Sequence, residues 1–198
     1  MPPHFDFAIS YGVYDGTLRR LVHLLKYERL RPAAKVLGEK LAGVIAANLR
    51  LHGRSMLVIP APLHRSKQRQ RGFNQAESIA RVAIKNLGNS ALELHTGNLR
   101  RVRATVSQTG LTRHQRRENV RGAFVLTAAE RIRDRSILLV DDVYTTGTTL
   151  NECARVLRNA GAKEIVVATV ARVYREALAV VASENARDLA AATMKAAG

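Results

Sequence analysis

Cysteine is almost missing from this chain: Cys153 is the single one in 198 residues. That excludes an intramolecular disulfide and any CxxC metal site, and it leaves Cys153 as a small core residue on a helix. Tryptophan is absent and aromatic residues make up 5% of the chain. Proteins that hold single nucleic-acid strands stack bases on aromatic platforms, and only Phe73, Tyr144 and Tyr27 fall near the basic segments. A dedicated single-strand surface is therefore not expected, while contact with a nucleic-acid backbone stays open. No apolar run approaches the ~20 residues of a spanning helix, so no membrane span is expected. The start, Met1-Pro2-Pro3-His4-Phe5-Asp6, lacks the basic-then-apolar layout of a secretory signal, which points to a cytoplasmic protein. Acidic residues are also scarce. Against 32 Lys and Arg stand 16 Asp and Glu, a net charge of +16, and such an excess draws nucleic acid, acidic lipid or small polyphosphates.

The positive charge is clustered. Arg54, Arg65, Lys67, Arg69 and Arg71 follow one another with no acid among them, and residues 100–121 hold seven arginines against the single acid Glu118. Solvated basic faces look like this too, but both clusters flank segments with the composition of phosphate-binding loops.

Hydrophobic spacing sets the architecture. Leu18, Leu21, Val22 and Leu25 repeat at helical intervals behind Asp15 or Thr17 as cap, and Pro32 opens a second helix with Val36, Leu37, Leu41, Val44, Ile45 and Leu49 on one stripe. Met56-Leu57-Val58-Ile59 is a continuous apolar run, the mark of a parallel strand covered on both faces. A long loop is expected over 61–73, then a helix capped by Asn74 and closed by Gly88. Weak strands are expected at 92–94 and 99–102 around the turn Thr96-Gly97-Asn98, and another at 123–126. Between them, 107–121 reads as a loop with a short helix capped at Thr112. Ile137-Leu138-Leu139-Val140 is the strongest buried strand. A loop, a helix to Asn159 and a strand at 165–170 follow, a βαβ crossover. The reading is an α/β fold with a mainly parallel sheet in one domain over 1–175, and an Ala-rich helix or tail over 176–198.

Asp141 and Asp142 leave the strongest strand at its carboxyl end, where open parallel sheets collect ligands. Adjacent carboxylates can accept bonds from vicinal hydroxyls. The Thr145-Thr146-Gly147-Thr148-Thr149 run beyond offers hydroxyls, unshielded N–H groups and the positive end of the next helix. Ribose beside phosphate suits that order. A Walker loop needs a lysine after its glycine, and a dinucleotide fingerprint needs three spaced glycines; neither is present.

The run Ile137-Leu138-Leu139-Val140-Asp141-Asp142-Val143-Tyr144-Thr145-Thr146-Gly147-Thr148-Thr149 resembles the signature of type I phosphoribosyltransferases for 5-phosphoribosyl-1-pyrophosphate (PRPP). Leu25-Lys26-Tyr27, Pro60-Ala61-Pro62-Leu63-His64, Arg71-Gly72-Phe73-Asn74-Gln75-Ala76 and Gln108-Thr109-Gly110-Leu111 resemble the ComF subgroup. So do Arg113, Arg117, Asn119, Val120, Ala123 and Phe124. The resemblance implies a central mainly parallel sheet flanked by helices, with a small hood region. It further implies that Asp141 and Asp142 hold the ribose hydroxyls, and contact magnesium indirectly through Mg–PRPP, while residues 145–149 cradle the 5′-phosphate. Pro62, Leu63, His64, Arg65, Lys67 and Arg71, with Lys26, would face the pyrophosphate. Gln108, Arg113 and Arg117 would belong to a mobile loop that closes over the site. Many ComF proteins begin with a cysteine-rich zinc ribbon, and this sequence carries none. Two activities follow: magnesium-dependent transfer of a phosphoribosyl group to a nitrogen acceptor, or a DNA-uptake accessory role that binds DNA or nucleotides through the basic surface. Single-stranded DNA, the uptake machinery and a homodimer partner remain open.

Overall fold

Strand β6 (Ser136–Tyr144) organises the chain, because every residue from Ile137 to Val140 is buried. In the computed structural model, which describes residues 2–28, 30–49, 55–88, 90–104 and 113–174, β6 lies between β7 (Glu164–Arg172) and β2 (Met56–Pro60). β1 (Phe7–Val13) pairs with the outer edge of β7, and β3 (Leu92–Leu94) with the outer edge of β2. All four pairings are parallel.

Alternation along β6 divides two cores. Leu138 and Val140 join the cluster beneath α1 (Gly16–Tyr27), α2 (Arg31–Asn48) and α4 (Gln75–Leu87). Ile137 and Leu139 join the cluster beneath α6 (Thr148–Asn159), whose Leu150, Cys153, Ala154 and Leu157 form a buried helical stripe. A sheet covered on both faces has no polar alternation, which is why β2 and β6 read as unbroken apolar runs. Cys153 is fully buried, as its composition suggested.

Caps fall where the side-chain chemistry puts them. The Asp15 side chain accepts from the Gly16 N–H, Pro32 sits in the first turn of α2, and Gly88 closes α4 in the left-handed region. α2 and α4 touch through Gly38. A Cβ there would lie 2.5 Å from the Val82 Cβ and 2.9 Å from the Ile79 carbonyl oxygen. In an open helix Gly→Ala gains about 1 kcal/mol, but here the obstruction is the other helix's framework and overpacking of about 1–3 kcal/mol wins. Gly38→Ala is expected to lower the urea midpoint; an unchanged or higher midpoint would show that the helices slide apart freely.

Three expectations are corrected, and one strand was not anticipated. In β1 Phe7, Tyr11 and Val13 are exposed, so the strand carries no continuous apolar run. The stretch 61–73 holds a helix, α3 (Arg65–Arg71), between the His64 cap and Gly72 at φ 79°. Its sequence, RSKQRQR, buries no residue and so carries no hydrophobic periodicity. The strands at 92–94 and 99–102 do not share a sheet. β4 (Leu99–Arg101) pairs antiparallel with β5 (Phe124–Leu126), apart from β3. Finally, β6 does not end at Val140, because β7 keeps pairing with it as far as Tyr144↔Arg172. The short helix in the Arg-rich stretch is α5 (Arg113–Val120); its expected cap Thr112 and the 176–198 stretch lie outside the described residues. No described helix is long and apolar enough to cross a membrane.

Candidate functional site: two cavities at the carboxyl ends of β2 and β6

The chain turns from β2 toward β3 on one side and from β6 toward β7 on the other, so the gap between β2 and β6 is the topological switch point. β2 leaves the sheet after the Pro60↔Val140 pair, and the Ala61 N–H donates to the Val140 carbonyl at 2.8 Å. β6 runs on beside β7 alone, which bares the β2 side of Asp141 and Asp142. The two carboxylates thus sit within a strand rather than beyond its end. They line a cavity of about 200 Å³ together with Val143, Thr145 and Thr149. Facing them are Lys26 from the last turn of α1, Arg71, Gln75 and Arg101.

Charge in this cavity is unevenly distributed. The Lys26 Nζ lies 2.8 Å from Asp142 Oδ1, with side chains 20% and 10% exposed. Burial pulls the Lys26 ammonium down, but the adjacent Asp142 carboxylate outweighs it and the net shift is upward. The Asp142 N–H donates to Asp141 Oδ1 at 2.8 Å. Burial first, then the Asp142 charge, push the Asp141 carboxyl up to about 7 against the pull of Lys26.

The threonine loop divides its labour. Thr145 and Thr149 face the cavity, while the Thr146 and Thr148 hydroxyls bond each other at 2.8 Å. Tyr144 packs edge-on against Phe5 and lies under the Arg172 guanidinium, 4.7 Å from its ring centre. Gly147 takes φ 71° as the cap of α6, and a Cβ there would meet the Tyr144 ring, 2.6 Å from Cζ. Glycine is thus required both by conformation and by the tyrosine. Of the nine signature residues from Asp141 onward, Tyr144, Thr146, Gly147 and Thr148 shape the turn, and the other five line the cavity.

Helix α3 splits the basic segment. Arg65, Gln68 and Arg69 share one face and line a second cavity of about 900 Å³, which His64 and Arg100 also line. Arg71 faces the carboxylates instead. Lys67, half-buried, is held below its ordinary value by burial and then by the charges of Arg101, Arg71 and Lys26. Pro62, Leu63, Asn74 and Arg101 line both cavities. A parallel bridge between His64 and Arg101 ties this loop to β4. Asn74 serves two elements: its Oδ1 accepts the Ala76 N–H and its Nδ2 donates to the Ala61 carbonyl, each at 3.0 Å.

Two site residues escaped the reading from composition. Arg101 was one arginine among seven, and only the β4 pairing selects it. Gln75 is 1% exposed, and its Nε2 has no hydrogen-bond partner. A buried donor left unsatisfied beside a cavity points to a ligand acceptor. Gln108 lies outside the described residues, as do the side chains of Arg113 and Arg117, whose backbone belongs to α5. The Arg103 guanidinium donates to the carbonyls of Asn119 and Arg121 at the end of that helix, at 3.2 and 2.6 Å. Among the described residues no group of three or more His, Cys, Asp or Glu is placed to hold a metal ion.

Residues 69–189 match the family described as the phosphoribosyl transferase domain. Competence protein F of Haemophilus influenzae is 33% identical over 178 residues, 86% of this chain and 74% of that protein. DNA utilization protein YhgH of Salmonella typhimurium is 32% identical over 84% of this chain and 72% of that one. Among solved structures, the glutamine PRPP amidotransferase of B. subtilis is 21% identical with a TM-score of 0.42, covering 69% of this chain and 26% of its own. With the acidic pair and threonine loop of the signature at the switch point of a parallel sheet, and relatives of this identity and coverage, the chain belongs to the phosphoribosyl transferase domain family, within its ComF group.

Proposed function

We propose that the chain binds Mg–PRPP and transfers the phosphoribosyl group to a nitrogen acceptor with release of pyrophosphate. The observation that carries this reading is the meeting of opposite chemistries in one cavity: Asp141, Asp142, Thr145 and Thr149 on one wall, Lys26, Arg71 and Arg101 on the other. The carboxylates accept bonds from the ribose 2′- and 3′-hydroxyls. Lys26 occupies Oδ1 of Asp142, which leaves Oδ2 for the sugar. Thr145 and Thr149, with the N–H groups of the turn, anchor the 5′-phosphate, so that remote binding energy orients the anomeric carbon. Magnesium enters as part of the substrate, on the pyrophosphate. As the bond from the anomeric carbon to the pyrophosphate oxygen breaks, that oxygen keeps the electron pair. Arg71 and Arg101 stabilise the growing negative charge, worth several kcal/mol when such donors are pre-placed. The acceptor nitrogen then bonds to the anomeric carbon and gives up its proton to the departing pyrophosphate.

Calorimetric titration of PRPP with magnesium tests the reading. The intact protein is expected to bind, and Asp141→Asn/Asp142→Asn to lose binding by more than about tenfold. No binding by the intact protein would discard the assignment.

A second reading draws on the relatives called competence and DNA utilization proteins and on the +16 charge: an accessory role in DNA uptake through the basic surface. It calls for DNA affinity that falls with salt at a log–log slope of about −0.9 per neutralised phosphate on duplex. The two readings are compatible in one molecule.

A further inference from the structure

Strand β1 closes one side of the sheet, and among the described residues its outer edge pairs with no other strand. The Asp6 N–H donates to the Ile165 carbonyl at 2.9 Å, and the Tyr14 N–H to the Arg172 carbonyl at 2.8 Å. Even-numbered residues of this segment therefore turn their backbone groups toward β7. By the period of two, Phe7, Ile9, Tyr11 and Val13 turn theirs outward. The Val13 carbonyl accepts the Asp15 N–H at 2.9 Å and has a second lone pair to offer. Natural edge strands are blunted by charge, proline or a bulge. This one reads FAISYGV, with no charged residue and no proline, in a chain where 24% of residues are charged. Phe7, Tyr11 and Val13 are exposed along it. Nucleic acid and acidic lipid, which the +16 charge draws, find no cation within the strand, so the partner that fits this edge is an uncharged strand.

β1 is complementary to itself. With a second β1 laid antiparallel about a two-fold axis through Ser10, Phe7 lies opposite Val13 of the second copy and Ile9 opposite its Tyr11. All four are residues with outward backbone groups, and each opposed pair can exchange both N–H···O bonds. Their side chains share the face on which Ile9 enters the core under α2, so Phe7 and Val13 of the two copies cover each other's apolar surface. We propose that this edge is the interface of a homodimer in which two β1 strands pair antiparallel about Ser10 and join the two sheets into one. Such an interface is isologous, the same patch serving both copies. The proposal goes beyond phosphoribosyl transfer and does not require it. Two molecules of +16 repel, and Lys40 stands over the Tyr11 ring, 5.7 Å from its centre, in each copy. Salt screens that repulsion, so this dimer strengthens with salt, whereas binding to nucleic acid weakens.

Sedimentation equilibrium of the full chain over about 1–200 µM tests the pairing. Four samples are compared: the unmodified protein, Val13→Lys, Phe7→Glu, and an equimolar mixture of the two variants. The unmodified protein is expected to reach twice the chain mass, and to do so at lower concentration when salt is raised from about 50 to about 500 mM. Each variant alone sets a charge against an apolar side chain and is expected to weaken the dimer at least about tenfold. The mixture is expected to recover it, because position 13 of one copy faces position 7 of the other and the new charges are opposite in sign. Recovery also shows that both variants fold. A single-chain mass for the unmodified protein at every concentration would overturn the proposal and mean that the edge is covered in another way. A dimer that neither variant weakens would overturn it too, since the copies would meet elsewhere. Weakening in both variants without recovery in the mixture would overturn the antiparallel register.

Discussion

Asp141→Asn is expected to make the protein more stable above neutral pH while removing PRPP binding. Burial and the neighbouring Asp142 charge raise the Asp141 carboxyl from 3.8 to about 7. A group raised in the folded state contributes stability that is full below its unfolded pKa and is lost as pH climbs through the folded one. The loss therefore develops between about pH 4 and pH 7. Three units would be worth about 4 kcal/mol; Asp141 as a whole residue is half-buried rather than buried, and with that contact to solvent about 2 kcal/mol is the more reasonable size. Asparagine cannot ionise and escapes the loss. The melting temperature of the variant should match the parent near pH 4 and exceed it by about 4–8 °C at pH 8, given the usual scaling for a domain of this size. A gap of the same size at both pH values would mean that Asp141 does not carry this penalty. That outcome would mark Asp141 as a carboxylate held at a cost to the fold, the pattern of a group kept for a ligand.

Lys26→Met is expected to have the opposite effect. The Lys26–Asp142 pair is short and largely buried. Removing one partner of a buried pair commonly costs about 3–5 kcal/mol, because the other charge is left without compensation. With Lys26 still 20% exposed, about 2–3 kcal/mol is appropriate. Replacing both residues, as Lys26→Met/Asp142→Asn, should recover most of the loss, since neither charge of the pair is left without its partner. Urea denaturation of the two singles and the double gives the coupling energy directly. If the double variant is no more stable than Lys26→Met alone, the ion pair is incidental. The result also bears on function: the family resemblance implies Lys26 as a phosphate ligand, and in the structure its ammonium is paired with Asp142.

What was legible in the sequence follows from how each element earns its place. β2, β6 and α6 announce themselves because burial on both faces, or along one stripe, leaves a hydrophobic signature. The acidic pair and threonine loop were legible because the order of residue types is itself the chemistry. α3 was hidden since none of its seven residues is buried, and with it went the division of the basic segment between two cavities. β1 was hidden by its edge position, where one neighbour suffices. Arg101 and Gln75 depend on tertiary placement: the first on the β4–β5 pairing, the second on a buried donor left open beside the carboxylates. Neither kind of information is present in local sequence.

The pairing of β1 with β7 also dictates when the molecule can be finished. Phe7 meets Val166 and Val13 meets Arg172, and the buried Thr169 hydroxyl finds its partner in Ser10, at 2.7 Å. A chain emerging from the ribosome thus makes its first strand long before the strand that strand must join. The span between them is nearly the whole domain, so closure comes late and is slow for a chain of this length. Until then the backbone edge of β1 that β7 will pair stays open to other chains, which makes synthesis, rather than the finished protein, the stage most exposed to aggregation.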